Sequence, residues 1–289
     1  MKISGLALSM ILVSALLSGS ASAQHKVKLG DNAALRYWSA FAEMQDAAIS
    51  SQQVKELRGV FDGTTPYDDL KFKDLVEKNR RALETMARGT ALPNCDWGLE
   101  YEIGPEFPMD YPVKAVALAR LNVLYAFHLL SIGDKEGAVR ALVAGLRFSR
   151  DVGNGGIMLP TVLAEDSLLN HLRAAGFALR TAELTAQQRW VLAKALAQLG
   201  PEPLDWQSAI KREMGLYSVL PWPPTAPSLE HIIQAYQETL KDPIMLPKLQ
   251  QMIASVPQPF QELIIDPKRT LKNKQELDDK LREVRSSLQ

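Results

Sequence analysis

Residues 111–151 read YPVKAVALARLNVLYAFHLLSIGDKEGAVRALVAGLRFSRD, and this stretch sets the architecture. From Ala115 to Ser131 apolar residues lie almost all round a helical projection, and a helix apolar on every side is buried on most sides. Lys114, Arg120, Asn122 and His128 interrupt it, so it reads as a core helix; a membrane span wants about 20 predominantly apolar residues. Gly133 suits the left-handed position that ends a helix, and Asp134 suits the N-cap that begins the next. Lys135–Ser149 then places Ala138, Val139, Leu142, Leu146 and Ser149 at helical spacing, with Arg140, Arg147 and Arg150 elsewhere. Two antiparallel helices joined by Gly133–Asp134 make a helical hairpin.

The hairpin resembles one tetratricopeptide repeat. Small residues stand where that motif brings its helices close, at Ala126, Ala138 and Gly145, and Leu142 takes its large apolar position, with Leu146 after the last small one. Asn122 and Tyr125 replace the motif's early Trp and Leu, and Arg150 stands at its closing proline. One period of about 34 residues further on, Pro160 and Leu172 fall where small residues belong, so no tandem array follows. The resemblance covers roughly one repeat and implies a style of packing, loosely that of an α-solenoid.

Residues 1–23, MKISGLALSMILVSALLSGSASA, have the basic start, short apolar run and Ala21-Ser22-Ala23 ending of a secretory signal peptide. Cleavage after Ala23 leaves 266 of the 289 residues, and without Lys2 there are 32 basic against 33 acidic side chains. That balance gives no electrostatic case for nucleic acid or an anionic membrane as partner. Cys95 is the single cysteine, so no internal disulfide forms and the core must supply the stability. A periplasmic or secreted protein that does not span the membrane is expected.

Apolar stripes predict further helices over Asp31–Ala48, Gln52–Phe61, Asp68–Arg88, Leu159–Leu179, Thr185–Leu199, Leu204–Tyr217 and Ser228–Lys241, with shorter pieces to Ile265. The first stripe includes Trp38 and Met44, and the third includes Leu70 and Leu75. LPWPPTAP, Leu220–Pro227, breaks regular structure. No alternating strand run occurs. The fold class is all-α, with roughly ten helices: a single domain over 24–265 and a charged helix or tail over 266–289, whose stripe of Leu277, Leu281, Val284 and Leu288 is thin enough for a solvated end. The opening DNAALRYWSAFAEMQD (Asp31–Asp46) and the Cys95–Gly98 run are similar to those of uncharacterised secreted bacterial α-helical proteins.

No catalytic or metal-binding signature appears: there is no H-E-x-x-H and no H-x-x-E-H, and Gly153–Gly156 precedes no Gly-Lys-Ser/Thr. No cofactor is implied. The long stretch CDWGLEYEIGPEFPMDY (Cys95–Tyr111) mixes acids with aromatics. Asp96, Trp97, Glu100, Tyr101 and Glu102 could line a groove for a sugar or basic peptide, or Trp97 and Phe107 could plug the core while the acids face water. Cys95 is expected as an inert thiol, since a nucleophile needs a nearby base. Arg120, Glu165, Asp166, His128 and His171 interrupt two apolar helices and are expected as a buried polar cluster, with Arg120 paired to Glu165 or Asp166, because buried charges must be paired.

The leading expectation is an exported, non-enzymatic binding or scaffold protein of the cell envelope, its partner another envelope protein or a peptide. The alternative is an envelope hydrolase or lyase using carboxylates among Glu100, Glu102, Glu165 and Asp166, which leave no linear motif. A structural envelope protein without a ligand is the third. A deep pocket with facing carboxylates separates the enzyme from the binder.

Overall fold

The computed structural model describes residues 29–104 and 109–288; the expected leader Met1–Ala23, Glu106, Phe107 and the side chain of Glu102 lie outside the described residues. Among the described residues the chain is all-α, with eleven α-helices and no strand. They are α1 (Ala33–Glu43), α2 (Ser51–Phe61), α3 (Asp69–Gly89), α4 (Tyr111–Ser131), α5 (Lys135–Gly153) and α6 (Met158–Thr181). Then follow α7 (Ala186–Gln198), α8 (Trp206–Leu216), α9 (Leu229–Lys241), α10 (Leu246–Ala254) and α11 (Pro267–Ser286).

The α4–α5 hairpin turns as its residues dictate. Gly133 adopts φ +83°, the left-handed conformation that costs glycine least. The Asp134 N–H then reaches back to the Leu129 carbonyl at 2.8 Å, and the Asp134 carboxylate accepts the Gly137 N–H at 2.8 Å. One turn thus closes one helix and caps the next. Ser50 with Gln53, and Thr185 with Gln188, form reciprocal capping boxes at the starts of α2 and α7.

Helices α3, α4, α5 and α6 pack in succession, with α4 also against α6 and α3 against α5. α1 covers α3, and α7 lies on α5. The helix packed along the flank of α6 is α11, from the far end of the sequence, rather than its neighbour α7. α8 and α9 form a smaller layer on α6, and α10 ties α9 to α11. α4 is the one helix among the described residues long and apolar enough to cross a membrane, yet most of it is buried inside the protein.

Several expectations change. α1 stops at Glu43, five residues early, because Asn79 of α3 takes over the backbone of Gln45: its side chain accepts the Gln45 N–H and donates to the Gln45 carbonyl, both at 2.8 Å. Asn32 caps α1, accepting the Ala34 N–H at 3.1 Å. Trp38 is 37% exposed and Leu70 88% exposed, so neither belongs to the inner stripe assigned to it. The α3 core face is Phe72, Val76, Ala82, Leu83 and Met86.

The charged C-terminal stretch is no solvated tail. Leu277, Leu281 and Val284 of α11 are buried in the same core as the rest of the chain. Arg285 also donates to the carbonyls of Leu196 and Gly200, each at 2.7 Å, and so satisfies acceptors left open at the end of α7.

Candidate functional site

The five interrupting polar residues of α4 and α6 do not gather into one cluster. His128 points to α3, with Nδ1 2.9 Å from Asp69 and Nε2 3.7 Å from Glu77. His171 is sealed in the core among α4, α5 and α6. Its Nδ1 lies 2.8 Å from the Ser167 carbonyl and 3.1 Å from Ser149 Oγ, and its Nε2 lies 3.1 Å from Asn122 Nδ2. The carbonyl fixes the proton on Nδ1, leaving Nε2 to accept from the Asn122 amide. Burial pushes the imidazole down to about 4, so it is neutral and structural. Gly145 is small because of this network: a Cβ there would lie 2.1 Å from His171 Nε2 and 2.5 Å from Asn122 Nδ2.

Arg120 pairs with Asp166 across the α4–α6 interface at 3.5 Å, both side chains about one-third exposed. At that length and exposure the pair contributes little. Arg120→Met is expected to change unfolding free energy by less than about 1 kcal/mol, as urea melts would show; a larger loss would mean that the pair is effectively buried.

The Cys95–Tyr111 loop splits by residue type. Trp97 turns inward, 7% exposed, stacked on Tyr111 at 3.9 Å and flanked by Tyr37 and Phe41. Its Nε1–H donates to the Asp151 carbonyl at 2.8 Å. Asp96 and Glu100 face water, and Tyr101 lies under the Arg212 guanidinium at 5.7 Å. The loop's large ring is thus used as a core plug while the two acids lie at the surface. Cys95 is half-buried with Sγ 3.7 Å from the Asp151 carbonyl, and burial pushes its thiol up, away from the reactive thiolate.

Beneath the loop, Asp151 is buried at the end of α5. Desolvation raises its carboxyl, while the Tyr37 hydroxyl, donating at 2.6 Å, and Arg150 at 3.0 Å hold it toward the ionised form. Tyr37→Phe removes a hydrogen bond to a charged group and should cost about 2 kcal/mol. Chemical denaturation measures this, and a loss under about 0.5 kcal/mol would show that Arg150 alone satisfies the carboxylate.

The opening with chemical potential lies elsewhere, where the end of α2 meets α6 and α11. It is a cleft of about 350 Å³, floored by Phe61 and Leu169. Glu165 and Asp166 of α6, Arg58 of α2 with its C-cap Asp62, and Arg173 with Glu276 line its walls. The Phe61 carbonyl accepts from Arg180 at 3.1 Å, which holds the end of α2, and hence Asp62, against α6. Arg173 carries Glu276 at 2.7 Å, linking α6 to α11.

Glu165 is the outlier in this cleft. It is only 5% exposed, yet among the described residues its carboxyl has neither a hydrogen-bond donor nor an ion-pair partner. Among the described residues no fully sealed side-chain oxygen or nitrogen lacks a partner, so the Glu165 oxygens keep some exposure, and the cleft is the opening that Glu165 lines. Burial, then Asp166 and Glu276, push its carboxyl up to about 8 against the partial relief of Arg173 and Arg269. At neutral pH it holds its proton. Among the described residues no three His, Cys, Asp or Glu side chains converge closely enough to hold a metal ion.

A second cavity of about 360 Å³ is apolar, lined by Tyr67, Phe127 and Phe177 with Lys135 and Glu183 at its rim. Its rings pack on one another, Phe127 at 5.1 Å from Phe177 and 5.3 Å from Tyr67, which accounts for them as core.

No protein-family model matches the chain, and no curated protein or solved structure matches it. The cleft therefore stands on its own geometry. Glu165 and Asp166 were visible in the sequence as interruptions; Arg58, Asp62, Arg173 and Glu276 were not singled out. The signal for Arg173 was present, since Glu165, Leu169 and Arg173 recur every four residues on one face of α6. Glu276 stands 103 residues from Arg173, and nothing local announces it.

Proposed function

We propose that this protein is an exported, non-enzymatic binding protein of the cell envelope whose ligand site is the α2–α6–α11 cleft. The observation that carries the reading is Glu165, a buried carboxyl that opens on a cleft and, among the described residues, lacks the partner that buried ionisable groups ordinarily have. The leader-like sequence of Met1–Ala23 supports export. The cleft floor and walls come from three packed helices, a rigid frame of the kind on which binding groups keep their geometry.

The reading is tested by thermal unfolding of the mature protein with the small-molecule and peptide fraction of its native envelope, beside Asn273→Trp. Asn273 is a partly exposed residue of the cleft wall, and an indole there fills the opening. The extract should raise the melting temperature of the wild type and not that of the variant. Equal shifts in both, or none in either, would sink the assignment.

One observation favours the enzymatic reading, a hydrolase or lyase of the envelope. A carboxyl held protonated beside carboxylates is the division of labour that general acid catalysis uses. Asp166 is tied to Arg120 and Glu276 to Arg173, which leaves Asp62 as the carboxylate free to act as its counterpart. Glu100 lies outside the cleft lining. Turnover of envelope glycan or peptide that Glu165→Gln abolishes would establish this reading over the first.

A further inference from the structure

We propose, resting on the binding assignment above, that the cleft receives an organic cation, an ammonium or guanidinium group, which docks against the Glu165 carboxyl. The charge inventory favours a cation over an anion. Four carboxyls line the cleft, Asp62, Glu165, Asp166 and Glu276, against two guanidiniums, Arg58 and Arg173. Two of the positive groups near Glu165 already have a carboxylate partner. Arg173 is engaged by Glu276, and Arg120, reaching in from α4, is engaged by Asp166. Arg58 of α2 and Arg269 of α11 stand exposed and have no ion pair among the described residues. An entering anion would meet four carboxyls, and the guanidiniums that have no carboxylate partner are exposed to water, whereas a cation meets at Glu165 a buried acceptor with no hydrogen-bond donor among the described residues.

The step balances simply. The O–H bond of Glu165 breaks, the proton leaves to buffer, and the ligand keeps its own protons and donates N–H bonds to the carboxylate. A cation docked against the carboxylate acts in the direction in which Arg173 and Arg269 act now, drawing the group back toward ionisation. With the carboxyl at about 8 in the free protein, binding at pH 7 should release about 0.9 proton per ligand. Affinity should rise about tenfold between pH 6 and 7 and flatten above pH 8.

The ligand's size is also indicated. A second depression adjoins the first along α6 and α11, and the two share Leu169, Arg173 and Glu276. It offers Lys272, Asp279, Lys280 and Glu283, charges of both signs spread along the surface. A chain longer than one side chain can lie along that track with its cationic end in the cleft. Free diamines and basic peptides present the same end group, and differ in what occupies the track.

The experiment is titration calorimetry of the mature protein with 1,5-diaminopentane, with a short alanine peptide carrying one central lysine or arginine, and with succinate. Runs in phosphate and in Tris separate binding heat from proton release. Saturable binding of a cationic probe with proton release, lost in Glu165→Gln while its circular dichroism is unchanged, is the expected result. Tighter binding of the peptide than of the diamine assigns the cation to a basic peptide, and the reverse assigns it to a free polyamine. Binding of succinate alone overturns the cation assignment and leaves the binding reading standing. Failure of every probe also overturns it; the binding reading then rests on the thermal shift with envelope extract, which is scored separately.

Discussion

Trp97→Ala is expected to lower stability by about 3–5 kcal/mol, the cost of emptying a well-packed aromatic site. The indole is 7% exposed, stacks on Tyr111 at 3.9 Å and touches the rings of Tyr37 and Phe41, which do not collapse readily into the space it leaves. Truncation also orphans part of the Asp151 carbonyl, which accepts the indole N–H at 2.8 Å and otherwise has only the weak Cys95 thiol donor at 3.7 Å. For a domain of this size a change of that magnitude lowers the melting temperature by about 10 °C. Trp97→Phe keeps most of the ring packing and loses the hydrogen bond, so its cost should be nearer about 1–2 kcal/mol. Differential scanning calorimetry of the two variants measures both. A change below about 1 kcal/mol for Trp97→Ala would mean that the loop carries no anchoring load and is free to act as a ligand surface.

That contrast shows where the sequence was informative. Gly133 and Asp134 fixed the hairpin turn because cap chemistry is local: a glycine free to take positive φ and a short carboxylate act on backbone within four residues. Trp97 was equivocal because a ring's destination is decided by what lies across the fold. Its neighbours Tyr37, Tyr111 and the Asp151 carbonyl come from α1, α4 and α5, and no spacing rule links them. Leu70 misled for the opposite reason: it satisfies the helical period, but among the described residues no element covers that edge of α3, so it stays 88% exposed.

The polar residues divide the same way. That Arg120 should find an acid was legible, because a charge in an apolar helix must be paired, and its partner is Asp166. That His128 and His171 have separate surroundings was not legible, since one faces α3 and the other the α5 seam beside Gly145. The docking of α11 was underestimated because its apolar content is small. Leu277, Leu281 and Val284 act together with Arg285, whose guanidinium reaches two carbonyls at the end of α7. Since α11 also supplies Glu276, the candidate site is incomplete until the last helix is in place.

Glu165→Gln is expected to stabilise the protein above neutral pH by about 3 kcal/mol while leaving it unchanged near pH 4. In the unfolded chain the Glu165 carboxyl titrates at its ordinary value of 4.5, and in the folded protein at about 8. The folded state thus binds the proton more tightly. Its favourable contribution is complete below pH 4.5, falls as pH rises through the interval to 8, and is gone above. Each pH unit within that interval is worth about 1.4 kcal/mol, so the whole interval bounds the effect near about 5 kcal/mol, and water entering the cleft screens part of it. Glutamine matches the protonated acid in shape and never ionises, so it removes the penalty and with it this part of the pH dependence. A fold that keeps an acid at a stability cost is one in which the acid is used, and stabilising changes at such positions ordinarily cost function. The measurement is a set of urea melts of both proteins from pH 4 to 9. Parallel curves across that range would show Glu165 to be solvated like a surface acid, and the cleft would lose the feature that distinguishes it. Curves that diverge above pH 5, and that a cationic ligand brings back together by stabilising the wild type alone, would tie the stability cost and the binding site to the same carboxyl.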